Sequence, residues 1–329
     1  MKEILCFGEI LLRQQAVGAS MFEQGNNFLR VYPGGSEANV AVGLAQMGEN
    51  VQYFSAFPRN PLSDEILAVL NHCGVGTERA VRVGDRVGAY ILLSANGLTK
   101  GEVVYDRKYS AFSLLEAADL DFDRLFAGID WFHWTALTPA LNAEWVSLLA
   151  TVLGEADRRG ITISVDLNYR NRLWQYGKEP SEIMPELVAY CDVVMGNIWA
   201  ANKMLGTSID EALNRNTPVE TYSTFSKRSA QEIFQQFPKV KHVANTFRFM
   251  DNPQHNYFYG VYHNRNSDAV SKVFETHEVV DRIGSGDAFM AGLIHALRHT
   301  DDPERIIRVA TGAGYQKLFV EGDFGNGKY

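Results

Sequence analysis

Short apolar segments alternate with longer segments of helical character along most of this chain of 329 residues. The apolar segments are rich in Val, Ile, Phe and Trp, which favour strands. They recur at residues 4–7, 51–57, 129–135, 161–166, 193–195 and 242–247. Between them, segments such as 36–47 and 143–156 repeat apolar residues with the spacing of an amphipathic helix. This alternation predicts an α/β fold, in which helices cover both faces of a doubly wound, mostly parallel sheet.

Two segments, residues 12–33 and 86–113, interrupt this alternation. They contain Gly and Asn and alternate polar with apolar residues, a pattern typical of antiparallel strands with one face in solvent. We expect them to form a small β-sheet lid inserted into the main domain, which then comprises residues 1–11, 34–85 and 114–329. The exposed face of such a lid suits pairing with a second copy of the chain, so we expect a homo-oligomer.

Composition argues against several classes of function. The chain has 31 Lys and Arg against 39 Asp and Glu, a net charge of -8, which does not suit a nucleic-acid-binding surface. No stretch approaches the roughly 18 consecutive apolar residues that span a bilayer, so we expect no membrane association. Cys6, Cys73 and Cys191 lie in apolar surroundings, as free thiols do in a reducing compartment, which favours a cytoplasmic location.

The strongest local signal is a glycine-containing loop before a helical segment. Gly284, Ser285 and Gly286 precede residues with helical spacing, so their backbone N–H groups would converge with the positive end of the helix dipole on an anion. Asp287 falls in the first turn of that helix, where it could accept a proton from an attacking hydroxyl. The alternative interpretation is a plain glycine turn with Asp287 as a helix cap.

A second glycine pair occurs near the N-terminus of the chain. Gly34 and Gly35 precede another predicted helix, where they would let a ligand approach the backbone, and Asn39 can donate or accept hydrogen bonds. The alternative is a simple helix start, with Ser36 as the N-cap residue.

Together the two segments resemble the signatures of the ribokinase (PfkB) family of sugar kinases. GGSEANVAVGLAQMG is similar to the N-terminal signature of the family, and DRIGSGDAFMAGL is similar to its C-terminal signature. The resemblance implies direct phosphoryl transfer from ATP, with Mg²⁺ bound alongside the nucleotide. It also implies that Asp287 takes the proton of the sugar hydroxyl, while the N–H groups of residues 284–286 stabilise the transferring phosphoryl group.

Three local strings, GEILLRQQ, VVYDRKYSA and DLNYRNRLW, resemble the branch of the family that phosphorylates 2-keto-3-deoxygluconate. This resemblance implies that Tyr90, Tyr105, Arg107 and Arg170, with Gly34 and Gly35, contact an acidic sugar. A guanidinium group can bind a carboxylate in a bidentate way, which fits such a substrate. Surface ion pairing is the alternative role for the two arginines.

The sequence also departs from the family pattern around the expected nucleotide site. Many members have an Asn-x-x-Glu motif, whereas Asn197 is followed by Ala200 in the glutamate position. A strand that often ends in Thr-x-Gly reads Thr246-Phe247-Arg248 here. We therefore expect Asn197, Thr246 and Arg248 to lie near the cofactor, in a site that differs from the family pattern. Two alternatives stay open, a kinase for a neutral sugar such as fructose or ribose and a non-catalytic sugar- or nucleotide-binding protein.

Overall fold

A computed structural model describes residues 2–18, 20–22, 25, 28–93 and 103–329. Residues 19, 23–24, 26–27 and 94–102 of the predicted lid lie outside these ranges. The strands are β1 (Glu3–Phe7), β2 (Leu11–Ala16), β3 (Leu29–Gly34), β4 (Val51–Phe54), β5 (Ala56–Phe57), β6 (Val81–Arg82), β7 (Gly88–Leu92), β8 (Val103–Asp106), β9 (Ile129–Thr135), β10 (Thr162–Asp166), β11 (Val193–Gly196), β12 (His242–Phe249), β13 (Asn256–Asn264), β14 (Asp268–Val270) and β15 (Phe274–Thr276). The α-helices are α1 (Ser36–Gln46), α2 (Pro61–His72), α3 (Phe122–Phe126), α4 (Ala143–Arg158), α5 (Pro180–Val188), α6 (Ile198–Leu205), α7 (Val219–Gln236), α8 (Ser285–His299) and α9 (Pro303–Gln316).

The main sheet has the predicted, mostly parallel arrangement. Its strand order is β14-β13-β12-β11-β10-β9-β1-β4, and β15 adds to β13. All pairs from β12 to β4 are parallel. Strand β13 instead pairs antiparallel with β12, so the two form a hairpin towards this edge of the sheet. Strands β9 to β11 are almost wholly buried because helices cover both faces. The predicted α/β fold is therefore confirmed.

Alternate residues of the central strands supply two hydrophobic cores. In β1, Leu5 and Phe7 belong to the core that includes α4 and α5, whereas Ile4 and Cys6 belong to the core that includes α1, α8 and α9. Successive side chains of a strand point to opposite faces of the sheet, so one strand serves both cores. This packing fixes α1 and α8 on the same face of the sheet.

The small sheet is mixed, not antiparallel throughout as the sequence pattern predicted. Its order is β3-β2-β7-β8, with β2–β3 and β7–β8 antiparallel but β2–β7 parallel. The physical reason is that each insertion forms its own hairpin. The first strands of both hairpins leave the main domain in the same direction and meet side by side. The four strands coincide closely with the two predicted insertions, and the division into two domains stays a prediction.

Within the described ranges, no helix combines the length and hydrophobicity that crossing a bilayer would require.

Candidate active site

The two glycine segments meet at one buried carboxylate. Asp287 lies in the first turn of α8, and its two carboxylate oxygens accept hydrogen bonds from the Ser36 hydroxyl at 2.6 Å and the Asn39 amide at 2.7 Å. Both donors belong to the first turn of α1. Burial raises the pKa of Asp287, and the hydrogen bonds from Ser36 and Asn39 oppose that rise. Asn39 thus holds Asp287, and its predicted contact with substrate stays a prediction.

The loop before α8 has the conformation that an anion site requires. Gly284 adopts a left-handed φ of 81°, and a Cβ atom there would overlap the carbonyl oxygen of Asp323. Apart from its own turn of helix, a Cβ atom on Gly286 would meet no atom of the described residues within 4 Å, so the loop is open on that side. The N–H of Ser285 donates to the carbonyl of Arg282 at 3.2 Å. The contact of the Gly284, Ser285 and Gly286 N–H groups with an anion stays a prediction.

A cavity of about 570 Å³ lies between the small sheet and the main domain, next to this loop. That volume suits a small-molecule ligand. Ten of the predicted site residues line it: Gly35, Tyr90, Tyr105, Arg107, Arg170, Arg248, Gly284, Ser285, Gly286 and Asp287.

Five arginines line the cavity, although the chain as a whole is acidic. Arg248 donates to the Ser285 hydroxyl at 2.6 Å, and Arg282 donates to the carbonyl of His255 at 2.6 Å. Arg170 is exposed at the cavity, where its closest hydrogen bond is a long one of 3.4 Å to the carbonyl of Tyr169. Among the described residues, Arg170 has no carboxylate within ion-pair distance. Its guanidinium group is thus the cation best placed to meet an anionic ligand.

Arg107 is paired with a carboxylate inside the protein. Its Nε lies 2.6 Å from an oxygen of Glu9, both side chains are buried, and the Ser110 hydroxyl donates to the other Glu9 oxygen. This pairing neutralises much of the positive charge that Arg107 would offer to a substrate. Sequence reasoning missed Glu9, which reads only as a charge interrupting the first apolar segment.

Asp166 is a second carboxylate on the cavity wall that sequence reasoning missed. It ends β10, and burial together with the negative charge of Asp287 raises its pKa to about 7. Its oxygen accepts from the backbone N–H of Asn168 at 2.9 Å, and the Asn168 amide donates to the Ser36 hydroxyl at 3.0 Å. The signal was available, because ligands bind at the carboxyl ends of parallel strands and Asp166 ends a predicted one.

Besides Asn39, three predicted site residues do not line the cavity, namely Gly34, Asn197 and Thr246. A Cβ atom on Gly34 would overlap the carboxylate of Asp323, so packing explains that glycine. Asn197 accepts from the backbone N–H of Ala200 at 2.8 Å and caps α6. Thr246 lies on β12, two residues before Arg248. Cofactor contacts of Asn197 and Thr246 therefore stay predictions.

A buried charge cluster fixes the loop to the small sheet and to the C-terminal segment. Arg13 on β2 is fully buried and binds Asp281 with two hydrogen bonds of 2.7 and 3.3 Å, and its Nε lies 3.0 Å from a carboxylate oxygen of Asp323. Asp281 also accepts from the backbone N–H of Ile283 at 3.0 Å. The hydroxyl of Tyr90, on β7, donates to Asp323 at 2.8 Å. Strand β2, the loop and the C-terminal segment therefore share one set of ion pairs.

Lys317 contributes a second buried cation to this cluster. Its ammonium lies 2.8 Å from the carbonyl oxygen of Val320 and 3.5 Å from that of Asp281. Burial lowers the pKa of Lys317 to about 8, although the charges of Asp281 and Asp323 oppose that change. Burial likewise raises the pKa of Asp323 to about 6 against the charge of Arg13. Two cations and two carboxylates thus largely compensate one another without solvent.

A glycine loop at a helix N-terminus, a buried carboxylate and a cationic cavity form a site suited to phosphoryl transfer. The sequence profile of the pfkB family carbohydrate kinases matches residues 1–323, and the chain belongs to this family. The resemblance stated from the two signatures is therefore confirmed.

Individual kinases are similar to this chain over most of its length. A 2-dehydro-3-deoxygalactonokinase of Haloferax volcanii is 26% identical over 323 residues, which cover 98% of this chain and 92% of the relative. A 2-dehydro-3-deoxygluconokinase of Bacillus subtilis is 27% identical over 265 residues, which cover 80% of this chain and 73% of the relative. A crystal structure of a 2-dehydro-3-deoxygluconokinase from Thermotoga maritima is 33% identical, with a TM-score of 0.87 over 99% of this chain and 95% of that one.

We expect Arg13→Met to destabilise the protein by about 3–5 kcal/mol, because it leaves the buried Asp323 and the partly buried Asp281 without their partner. Arg30→Met is the matched control, since Arg30 pairs with Glu321 in the same region but is exposed, and we expect little change there. Denaturant unfolding monitored by fluorescence measures both variants. Equal effects of the two substitutions would show that the buried cluster does not stabilise the fold.

Proposed function

We propose that the chain transfers the γ-phosphoryl group of ATP to a hydroxyl of an acidic sugar, with 2-keto-3-deoxygluconate as substrate and its 6-phosphate as product. The observation that carries the proposal is the position of Asp287, a buried carboxylate that lines a cationic cavity beside an open glycine loop. The names of the three relatives support the choice of a keto-deoxy sugar acid.

In this mechanism Asp287 accepts the proton of the sugar hydroxyl while the hydroxyl oxygen forms a bond to the γ-phosphorus. The bond from that phosphorus to the bridging oxygen breaks, and ADP leaves with the electron pair. The N–H groups of Gly284 and Gly286 would stabilise negative charge on the transferring group, since phosphoryl transfer depends mainly on positioning and electrostatics. Ser36 and Asn39 orient the carboxylate of Asp287.

Arg248 and the magnesium ion belong to the nucleotide side of this proposal. Arg248 contacts Ser285 of the loop and lines the cavity, so it could pair with a phosphate of ATP. Mg²⁺ prefers oxygen ligands and usually binds through substrate phosphates, waters and one or two carboxylates. Asp166 is a carboxylate on the cavity wall and fits that requirement. The ion would neutralise charge between the β- and γ-phosphates.

Arg170 is assigned to the carboxylate of the sugar acid. It lines the same cavity as Asp287 and has no internal carboxylate partner among the described residues, so binding a substrate carboxylate would not require breaking an existing ion pair. Tyr90 and Tyr105 pair across β7 and β8 and line the cavity. The hydroxyl of Tyr105 can add a hydrogen bond to the sugar, whereas that of Tyr90 already donates to Asp323.

A kinase for a neutral sugar is the second candidate, and the Glu9–Arg107 pair favours it. Because Glu9 neutralises Arg107, the cavity offers less positive charge to a sugar carboxylate than the sequence suggested. A hydroxyl-rich sugar would find acceptors and donors in Asp166, Asn168 and the tyrosines.

We expect ADP release from ATP and Mg²⁺ with 2-keto-3-deoxygluconate, but not with gluconate, fructose or ribose. Asp287→Asn is expected to lower kcat by about 10²–10⁴, the usual contribution of a positioned base. Asp123→Asn, on the exposed surface of α3, is the control and should retain activity. Turnover with fructose or ribose would transfer the assignment to a neutral sugar. No turnover with any sugar would favour a non-catalytic binding protein.

Replacing Arg170 by Met separates the two substrate classes. We expect KM for the sugar acid to rise about 10- to 100-fold with a smaller change in kcat, because a charge-assisted hydrogen bond contributes about 1.5–3 kcal/mol. Arg158→Met, on the exposed face of α4, is the matched control. An unchanged KM in a comparison of steady-state kinetics would show that Arg170 does not bind the substrate carboxylate.

The pH dependence of kcat/KM tests the base. Activity requires ionised Asp287, so kcat/KM should fall at acidic pH with a limb above the ordinary aspartate pKa of 3.8. Burial dominates the raised pKa of Asp287, and the positive charge of Lys317 opposes it. Lys317→Met removes that charge, so we expect the acid limb to move to higher pH. Lys203→Met, exposed on α6, should leave the profile unchanged. A limb that stays in place would exclude this coupling.

A further inference from the structure

Two histidines and a glutamate meet far along α8 from Asp287. His295 and His299 are four residues apart on α8 and therefore share one face of the helix. Oε1 of Glu49, which follows α1, lies 2.7 Å from Nδ1 of His295 and 2.7 Å from Nε2 of His299. At a rise of about 1.5 Å per residue, His295 lies about 12 Å along the helix from Asp287. The cluster is thus separate from the cavity.

The donor atoms of this cluster are close enough to bind one metal ion. One ligand atom from each of the three side chains lies within 4.8 Å of the other two. Tetrahedral ligands about 2.0–2.2 Å from a metal stand about 3.3–3.6 Å apart. The present 2.7 Å separations are those of hydrogen bonds, so the rings would have to move outward by less than about 1 Å. His299 has a side chain that is 54% exposed, which leaves room for that movement.

We propose that Glu49, His295 and His299 form a binding site for a divalent transition metal such as Zn²⁺. Two imidazole nitrogens and one carboxylate oxygen are a common zinc donor set, with a water molecule as fourth ligand. Mg²⁺ and Ca²⁺ prefer oxygen ligands throughout, so this site would not compete for the ion that accompanies ATP.

Neighbouring groups hold the Glu49 carboxylate in the orientation that the site needs. Nε of Arg298 lies 3.2 Å from Oε2 of Glu49, and Nη1 of Arg298 lies 3.0 Å from Asp130. Arg298 therefore occupies one carboxylate oxygen and leaves Oε1 to the histidines and the metal. Such outer partners fix the geometry of metal ligands. The positive charge of Arg298 also repels a dication, so we expect micromolar and not nanomolar affinity.

A comparable group, formed by His255, Glu275 and His277, does not carry the same inference. Its ligand atoms also lie within 4.8 Å of one another. However, the backbone N–H of Asp251 donates to Nδ1 of His255 at 3.1 Å, and Nε2 lies 3.0 Å from Glu275. His255 is buried, so its ring has little freedom to move. This group serves instead as an internal comparison.

The site would link α1 and α8 at their C-terminal ends. The N-terminal ends of the same two helices form the proposed catalytic region. Glu49 lies just beyond α1, which begins with Ser36, and both histidines lie on α8, which begins beside Asp287. A metal that binds the folded protein and not the unfolded chain raises its stability by mass action. We therefore expect metal binding to stabilise the paired helices.

Calorimetric titration of the chelator-treated chain of 329 residues with Zn²⁺ tests the proposal. We expect one saturable site with micromolar affinity, a rise in Tm of about 5 °C at saturation, and tetrahedral absorption bands when Co²⁺ replaces Zn²⁺. His299→Gln should weaken binding at least about tenfold while leaving the metal-free Tm unchanged, because its side chain is exposed. His72→Gln and His277→Gln are matched controls and should bind as the original protein does.

Two results would overturn the proposal. The first is the absence of saturable binding up to about 100 µM Zn²⁺. The second is binding that survives in a His295→Gln/His299→Gln double variant, or that disappears in His277→Gln, which would assign the metal to the comparison group.

Discussion

The guanidinium group of Arg13 has no contact with solvent, so its charge can persist only where carboxylates surround it. Asp281 and Asp323 meet this requirement from two distant parts of the sequence, and Lys317 balances the second carboxylate. The loop at residues 284–286 follows directly from Asp281, and Gly34 is small because Asp323 lies against it. The position of the small sheet and the shape of the anion loop are therefore set by the same electrostatic constraint. A change in one of these charges would therefore affect the small sheet, the loop and the C-terminal segment together.

The orientation of Asp287 depends on this constraint and on the packing of α1 against α8. Ser36 and Asn39 reach Asp287 because the two helices lie on one face of the sheet and begin at the same edge. Both hydrogen bonds favour the ionised carboxylate, whereas burial disfavours it. The balance suits a base that must accept a proton near neutral pH. Asn168 extends the same hydrogen-bond chain to β10 and so brings a third element into the positioning of the carboxylate.

The sequence predicted the α/β fold and the two glycine turns before helices because both depend on local patterns, namely periodicity and turn residues. The meeting of these two segments at Asp287 is a tertiary contact that such patterns do not contain. The sequence did not predict that β2 and β7 run parallel, since the direction in which one hairpin lies beside another is a tertiary property. The sequence also did not predict which charged residues form ion pairs in the fold. Arg107 and Arg170 looked equivalent in sequence, yet Glu9 pairs with one, while the other has no such partner within the described residues. Asp166 was overlooked because a single aspartate after a strand is common, and only burial beside Asp287 raises its pKa.

In the proposed reaction, one cavity would have to hold an anionic nucleotide, an acidic sugar and a carboxylate base together, and its positive and negative side chains fit that requirement. Five arginines line the cavity of an acidic protein, so attraction for anions is local and does not come from the net charge. Asp287 and Asp166 face the same cavity, and their negative charges repel each other when both are ionised. Burial, and after it the charge of Asp287, raises the pKa of Asp166. Cations that arrive with the nucleotide would relieve this opposition and favour the ionised form of both. Binding of the nucleotide would then also favour ionised Asp287. The nucleotide site and the sugar site would be coupled electrostatically, without any change in the fold.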